Sequence, residues 1–371
     1  QERIELIHSN WTHKDDYLED PAIGQLATLD PNGLVQPPLG LEIGYVPIVT
    51  KQEKSASKVR VFVLAGQSNM QGYGTIEDAE NDPGSLNDVI LNDTAGQWSA
   101  LGSPSNWNSF DGASLYFANN GDTIRSNVTV GQGANSNLIG PELMFAQQLD
   151  RYYEDPVLII KTAWGGKNLA VDFRPPSAGG DTGEYYNQMI QTVQNVTSNL
   201  DEEFPSFGTT DFKIEGFAWF QGWNDGASAA FLNEYESNLD HLVNDVRNDL
   251  NVVDLPVVIA NSGHGGFDAS GDAWVQSMQT VVSVAQESVG CNDSIYGGQL
   301  GFIDTKQFYI EVDDSPENAI HHFHNNALTY LNIGQSLGKE MLLAVNDQAF
   351  CYVDCEEQVS PGIVSIGNRV W

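Results

Sequence analysis

The chain has 371 residues, of which 41% are hydrophobic and 10% aromatic, and this content excludes a disordered chain. Its 50 acidic and 16 basic residues leave a formal net charge of −34, a field that repels nucleic-acid phosphates and anionic lipid surfaces. Three cysteines are too few for a disulfide-stapled scaffold, and no apolar stretch is long enough to span a membrane. We therefore expect no nucleic-acid partner and no membrane insertion.

Composition divides the chain into three parts. Residues 1–55 are rich in proline and other turn formers, and predict an N-terminal extension packed on a domain. The main domain is placed at residues 56–347, and a C-terminal tail at residues 348–371.

Five apolar segments predict the strands of a parallel sheet, and each of them has Gly, Asn, Asp or Ser at or near its end. They are 60–70, 156–166, 214–225, 255–266 and 301–305. Helical periodicity follows at 141–153, 185–200, 235–250, 273–289 and 325–345. The alternation predicts an α/β fold with a parallel five-stranded sheet and ligands at the carboxyl ends of its strands. The long Gly-, Asn- and Ser-rich segment within 72–140 is interpreted as a functional loop.

A serine in the motif GQSN, Ser68, directly follows the first predicted strand. A serine at such a corner can present its hydroxyl beside backbone N–H groups, although the same pattern also occurs in plain turns and helix caps. Gly165 and Gly166 end the second strand and Asn224 ends the third, so backbone and amide donors are expected beside the serine.

A nucleophilic serine needs a base, and the segment IHHFHNN supplies His321, His322 and His324. A metal site is the alternative interpretation of three histidines, but no carboxylates accompany them at ligand spacing. We expect neither a metal nor an organic cofactor. Cys351 and Cys355 could pair locally or one of them could pair with Cys291, and the sequence does not choose between these disulfides.

These motifs in this order resemble the SGNH hydrolase superfamily. More narrowly, AGQSNMQG, IGPELMFA, IIKTAWGGKNLAVDFRPP, GFAWFQGWND and HNNALTYLNIGQSLGKEM resemble the sialate O-acetylesterase and family 6 carbohydrate esterase branch, between about Val59 and Val345. The resemblance implies a flavodoxin-like, three-layer α/β/α sandwich. It also implies a serine esterase that removes O-acetyl groups from a carbohydrate without a cofactor.

The resemblance assigns roles to the residues around the predicted nucleophile. Ser68 matches the nucleophile, and its own N–H, an N–H of Gly165 or Gly166, and the Asn224 amide match the oxyanion hole. Gln221 matches the glutamine of the related QGE motif and is grouped with them.

The register of the last helix favours His322 as the base, with His324 second and His321 third. One departure concerns the acid of the triad, because the aspartate that the superfamily usually places three residues before the histidine is absent here. Asp304, at the end of the fifth strand, takes that role in our prediction. The alternatives are Asp313, Asp314, Glu317 and a backbone carbonyl, the last of which would leave a Ser–His dyad.

Three residues are predicted to contact the substrate, an acetylated glycan or sugar. Trp164 and Trp223 lie next to the oxyanion residues and could stack on a sugar ring, although core packing is an equal alternative. Lys167 could hold a substrate carboxylate or form a salt bridge with Asp172.

Three functions are compatible with these residues: a secreted serine esterase acting on carbohydrates, an esterase of non-sugar esters, and a catalytically silent carbohydrate-binding or adhesion module. The first accounts for the most residues. The tail SPGIVSIGNRVW resembles the start of an SdrD B-like extracellular repeat, so we expect a secreted or cell-surface protein. The sequence identifies neither the sugar nor the oligomeric state.

Overall fold

In a computed structural model of the chain, the structure describes residues 58–77, 82–119, 121–268, 272–292 and 299–349. It also describes the backbone of two short strands, Thr28–Leu29 and Val35–Gln36, which pair antiparallel. The chain divides into two compact units, residues 52–351, and residues 1–51 with 352–371. The N-terminal extension and the repeat-like tail lie almost wholly outside the described residues. The packing predicted for the extension and the likeness predicted for the tail therefore stay predictions.

The centre of the larger unit is a seven-stranded sheet. Its strands are β1 Val59–Gly66, β2 Ser109–Asn119, β3 Asp122–Thr129, β4 Val157–Ala163, β5 Phe212–Phe220, β6 Val257–Ala260 and β7 Leu300–Ile303. Their order across the sheet is β7-β6-β5-β1-β4-β2-β3. Every neighbouring pair is parallel except β2 with β3, which is antiparallel.

The five predicted strands are confirmed as β1, β4, β5, β6 and β7, but the predicted number of five is wrong. Strands β2 and β3 lie within the segment that we interpreted as a loop, and they extend the sheet past β4. Composition hid them, because β3 is an edge strand with mostly solvent-facing side chains. The apolar residues Phe110, Leu115 and Phe117 and the Asn-Gly pair at 120–121 in the sequence are the signals that could have revealed this hairpin.

Nine helices are described beside short 3₁₀ turns. They are α1 Ser68–Gln71, α2 Leu86–Leu91, α3 Glu142–Tyr152, α4 Glu184–Ser198, α5 Leu200–Glu203, α6 Ala229–Asp249, α7 Ala273–Ser277, α8 Val284–Gly290 and α9 Ala327–Val345. Helices α7 and α8 are continuous through a π-helical segment, Met278–Ser283. The five predicted helices correspond to α3, α4, α6, α7 with α8, and α9.

Helices cover both faces of the sheet and complete a three-layer α/β/α sandwich. Val61 and Val63 of β1 pack in a core cluster with Met189 of α4 and Leu239 of α6. The alternate residue Phe62 points to the other face, where its ring meets Phe145 of α3 at a centroid distance of 6.0 Å. Burial on both faces explains why the strands read as unbroken apolar runs.

Two further findings bear on the sequence predictions. Cys291 is disulfide-bonded, and the other two cysteines, Cys351 and Cys355, lie outside the described residues. Among the helices that the structure describes, none combines the length and the apolar character needed to cross a membrane.

Candidate active site

The predicted nucleophile Ser68 begins the short helix α1, two residues after the end of the central strand β1. The backbones of β1 and β5 come so close here that a Cβ on Gly66 would lie 2.1 Å from the Phe220 carbonyl oxygen, so this position requires glycine. The N–H groups of Met70 and Gln71 both donate to the Gln67 carbonyl at 2.9 Å, and they hold the turn in place. Ser68 is 6% exposed.

The side chain of Gln67 connects this turn to the end of the neighbouring strand β5. Its Oε1 accepts from the N–H of Gly222 at 3.2 Å, and its Nε2 donates to Oδ1 of Asn224 at 2.9 Å. Because Oδ1 of Asn224 is occupied, the Nδ2 donor points elsewhere, and it has no partner among the described residues. Asn224 therefore keeps a side-chain donor without a partner among the described residues, while its oxygen is bonded to Gln67, the residue before Ser68.

The glycine pair comes from the strand on the other side, β4. A Cβ built on Gly165 would lie 3.7 Å from the Cβ of Ser68 and 3.0 Å from Oε1 of Gln71, so Gly165 is in the immediate surroundings of the serine. Both Gly165 and Gly166 are exposed. The structure thus brings Ser68, the glycine pair and Asn224 to one place, at the carboxyl ends of three adjacent parallel strands.

Gln221 lies behind this surface. It is 1% exposed, and its Nε2 donates to Oδ2 of Asp225 at 2.7 Å and to the Lys167 carbonyl at 3.0 Å. Its Oε1 accepts from the Tyr235 hydroxyl at 3.1 Å. The amide is satisfied inside the protein, and its assignment to the oxyanion hole stays a prediction.

Sequence reasoning missed Asp225, which holds the segment that follows Gly165 and Gly166, here called the glycine loop. Its buried carboxylate accepts from the N–H groups of Leu169 and Ala170 at 3.0 Å and from Gln221. Burial raises the pKa of Asp225 to about 6, although these hydrogen bonds lower it. The acidic residue in GWND was the available signal, because it lies at the end of a predicted strand, where open α/β sheets bind their ligands.

Sequence reasoning also missed His264, which follows β6 in the segment NSGHGG. The ring is fully buried between Phe323, stacked at 4.6 Å, and Trp223, edge-on at 4.7 Å. Burial, and then the charge of His322, lower the pKa of His264 to about 3, so the ring is neutral. A polar residue after a predicted strand end was the signal that could have found it.

The three predicted histidines occupy a 3₁₀ segment, Ile320–Asn325, just before α9. Phe323, His324 and Asn325 have left-handed φ angles of 50°, 55° and 57°. The His324 ring is held at both nitrogens, with Nε2 2.9 Å from the Tyr309 hydroxyl and Nδ1 3.1 Å from the Glu317 carbonyl. His324 therefore stabilises the loop itself.

His322 has a different environment. Its ring stacks on Tyr73 at a centroid distance of 3.7 Å and lies 4.2 Å from the His321 ring. Burial, and then His321, lower its pKa to about 3, so the imidazole is neutral at neutral pH. Within the described residues the ring nitrogens of His322 make no hydrogen bond, and none joins the Ser68 hydroxyl to any of the three histidines.

Asn69 connects the nucleophile turn to the histidine segment. Its Nδ2 donates to the His321 carbonyl at 3.1 Å, and its Oδ1 accepts from the Tyr330 hydroxyl at 2.7 Å. The same hydroxyl lies 3.3 Å from the His322 carbonyl. The two segments therefore share one hydrogen-bond network, although Asn69 and His321 are 252 residues apart in the sequence.

The predicted acid, Asp304, is engaged elsewhere. Its Oδ1 accepts from Nδ2 of Asn261 at 2.8 Å, and its Oδ2 pairs with Nζ of Lys306 at 3.3 Å. In the part of the chain that the structure describes, neither Asp304 nor Asp313 nor Asp314 makes a hydrogen bond to a histidine. Asp304 as the triad acid stays a prediction that the contacts do not support.

The predicted substrate-binding residues lie around the glycine loop. Trp164 is half-buried and packs edge-on against Tyr185 at 5.2 Å. Lys167 forms the alternative salt bridge, with Nζ 3.3 Å from Oδ1 of Asp172 and 4.2 Å from the Tyr185 ring centroid. Trp223 is half-buried beside Trp274, at a ring-centroid distance of 5.8 Å.

A cavity of about 550 Å³ opens beside the histidine segment. Tyr73, His321 and His322 line one part of it, and Glu77, Asn135, Asn137 and Glu317 line another. Across the described ranges, no group of three or more His, Cys, Asp or Glu side chains is arranged to hold a metal ion.

The mostly parallel α/β sheet, with a serine after its central strand and a glycine and an asparagine after the two adjacent strands, matches the fold of SGNH-like esterases. Residues 58–343 match the model of the family described as carbohydrate esterase, sialic acid-specific acetylesterase, and the chain belongs to that family. The protein is accordingly a carbohydrate O-acetylesterase by class. This favours the enzyme over the silent binding module.

The comparisons with individual proteins give more distant likenesses. The chain is 22% identical over 210 residues to a probable carbohydrate esterase of Arabidopsis thaliana, covering 56% of this chain and 71% of the relative. The X-ray structure of that Arabidopsis protein has a TM-score of 0.49 at 19% identity, covering 76% of this chain and 97% of the other. A carbohydrate acetylesterase from Xanthomonas citri gives 0.44 at 15% identity, covering 78% and 56%.

Proposed function

We propose that the protein removes O-acetyl groups from a carbohydrate with Ser68 as nucleophile and His322 as general base. The observation that carries the proposal is the place of Ser68 after the central strand, with Gly165 of one neighbouring strand in its immediate surroundings and Asn224 of the other bonded to the adjacent Gln67. A developing negative charge on an ester carbonyl oxygen needs such donors fixed in advance, because reorienting them during the reaction would cost free energy.

In the proposed first step, neutral His322 takes the proton of the Ser68 hydroxyl while the serine oxygen attacks the acetyl carbonyl. The resulting oxyanion accepts hydrogen bonds from the Ser68 and Gly165 N–H groups and from Nδ2 of Asn224. Collapse of the tetrahedral intermediate breaks the bond to the sugar oxygen, which takes the proton from His322. Water then attacks the acetyl-enzyme by the same route, releasing acetate and restoring Ser68.

We infer a Ser–His dyad, in which packing and backbone contacts orient the base. The support is the stacking of His322 on Tyr73 and the contact of its carbonyl with the Tyr330 hydroxyl. A closing movement or the substrate must bring the imidazole and hydroxyl together, as is common when catalytic hydrogen bonds are loose in the absence of substrate.

The first experiment measures acetate release from 4-nitrophenyl acetate and acetylated xylan by the wild type and by Ser68→Ala, His322→Ala, His321→Ala and His324→Ala. We expect Ser68→Ala and His322→Ala to fall by at least about a thousandfold in kcat, with circular dichroism unchanged. His321→Ala should keep most of its activity. Full activity of Ser68→Ala would overturn the proposal, and loss in His321→Ala with activity retained in His322→Ala would move the base to His321.

We also propose that the protein works outside the cell or at its surface. The disulfide at Cys291 supports this, because such bonds persist in oxidising compartments, and so does the strongly acidic composition. Immunodetection in culture medium, surface and lysate fractions of the native host tests the proposal, and recovery in the lysate alone would contradict it.

A further inference from the structure

The cavity beside His321 and His322 contains two carboxylates without a counter-ion. The exposed residues Glu77 and Glu317 line it, and within the described residues neither side chain has an ion pair or a hydrogen bond. Among the residues that the structure describes, no lysine or arginine lines the cavity.

We propose that this cavity binds an uncharged, hydroxyl-rich sugar unit of the substrate and discriminates against sugars that carry a carboxylate. The inference rests on the proposed function, because it assigns the sugar of an acetyl ester cleaved beside His322. It narrows the substrate to neutral saccharides, whereas the description of the family refers to sialic acid, which is anionic at neutral pH.

The lysines and arginine nearest the strand ends cannot readily serve a substrate carboxylate. Lys167 is paired with Asp172, Lys306 with Asp304, and Arg174 with Glu234 at 3.2 Å. A bound carboxylate would therefore face Glu77 and Glu317 without compensation, in a protein whose formal net charge is −34. Like charges in such a site weaken both association and binding.

The same lining suits hydroxyl groups. Nδ2 of Asn137 donates to the Glu77 carbonyl at 3.4 Å, and Oδ1 of Asn135 accepts from the Asn137 N–H at 2.8 Å. These contacts leave Nδ2 of Asn135 as a donor and Oδ1 of Asn137 as an acceptor. Carboxylates accept from hydroxyls through two oxygens each, so Glu77 and Glu317 supply acceptors for neighbouring hydroxyls on one ring. The volume of about 550 Å³ lies within the usual range for small-molecule sites, roughly 300–1,000 Å³.

The test compares two substrates that differ in one group: acetylated methyl glucoside and acetylated methyl glucuronoside, with O-acetyl-N-acetylneuraminic acid as a second anion. kcat/KM is measured for the wild type, for Glu77→Gln/Glu317→Gln, and for the control Asp201→Asn/Glu202→Gln. The control makes the same change in net charge on α5, away from the cavity. We expect the wild type to prefer the glucoside by at least about tenfold at low salt.

In the cavity variant, the preference should shrink by about tenfold, while the control should keep the wild-type ratio. Equal kcat/KM for both substrates in the wild type, or a ratio unchanged by the cavity substitutions, would overturn the inference. Absence of 4-nitrophenyl acetate hydrolysis would instead contradict the proposed function. The selectivity would then be decided by saturation-transfer NMR with methyl glucoside and methyl glucuronoside: preferential binding of the glucoside supports it, and equal binding overturns it.

Discussion

The side-chain amide of Asn69 donates to Nε2 of His264 across 2.9 Å, so the residue after the proposed nucleophile is fixed by a buried histidine from a different strand end. The histidine can accept this bond because its pKa is lowered to about 3 and the ring is neutral. Asn69 also holds the His321 carbonyl. The position of the nucleophile turn and that of the histidine segment are thus set by one amide.

Replacing Asn69 with alanine should therefore impair catalysis more than substrate binding. The change removes the Asn69 partner of buried His264, at a cost of about 1–3 kcal/mol, and leaves the Tyr330 hydroxyl with only its longer contact to the His322 carbonyl at 3.3 Å. We expect kcat to fall roughly 10- to 100-fold with KM changed by less than about threefold. Steady-state kinetics on 4-nitrophenyl acetate measure this. Tyr330→Phe, which keeps the Asn69–His264 bond, is the matched control and should show a smaller loss; an equal or larger loss would contradict the assignment.

Asp225→Asn should disturb the glycine loop. The carboxylate accepts from two backbone N–H groups and from Gln221, and an asparagine amide would present a donor to one of these donors. We expect about 2–4 kcal/mol lower stability in urea unfolding and at least about a tenfold lower kcat. Asp181→Asn, the same substitution at an exposed aspartate, should alter neither quantity, and an Asp225→Asn variant indistinguishable from it would disprove this role.

A fully buried ion pair supports α1 from beneath. Nζ of Lys161 lies 2.8 Å from Oε2 of Glu142 and 2.6 Å from the Gln71 carbonyl, and burial lowers the pKa of Lys161. Lys161→Met leaves the Glu142 carboxylate buried and unpaired, which should cost about 3–5 kcal/mol in urea unfolding. The double variant Lys161→Met/Glu142→Gln should recover part of the loss. A double variant no more stable than the single one would show that the charge is not the cause.

Acid should destabilise the fold through two histidines. The pKa values of His264 and His322 are lowered from 6.5 to about 3 in the folded state, so the unfolded chain binds more protons between these values. Stability that is fully present above pH 6.5 is therefore lost as the pH falls towards 3, by up to about 1.4 kcal/mol per pH unit for each group. Urea midpoints between pH 7 and 4 measure this, and His264→Gln should flatten the slope. An unchanged slope would contradict it.

Most strands and helices of the fold could be predicted from the sequence. The parallel strands appeared as apolar runs because they are buried on both faces, as Val61, Phe62 and Val63 show. Ser68, the glycine pair and Asn224 were predictable because the carboxyl ends of parallel strands meet at one edge of a sheet. Strand β3 escaped because an edge strand exposes polar residues and lacks that pattern.

The sequence by itself determined the α/β layers and the residues at the strand ends, since hydrophobic periodicity and turn residues are local properties of the chain. Only the tertiary structure decided which of these residues are paired, supported or free. It placed Asp304 with Asn261 and Lys306, and it locked His324 inside its own loop. Hydrogen bonds and pKa values depend on burial and on neighbours from distant segments, and the local sequence predicts neither the burial nor these neighbours.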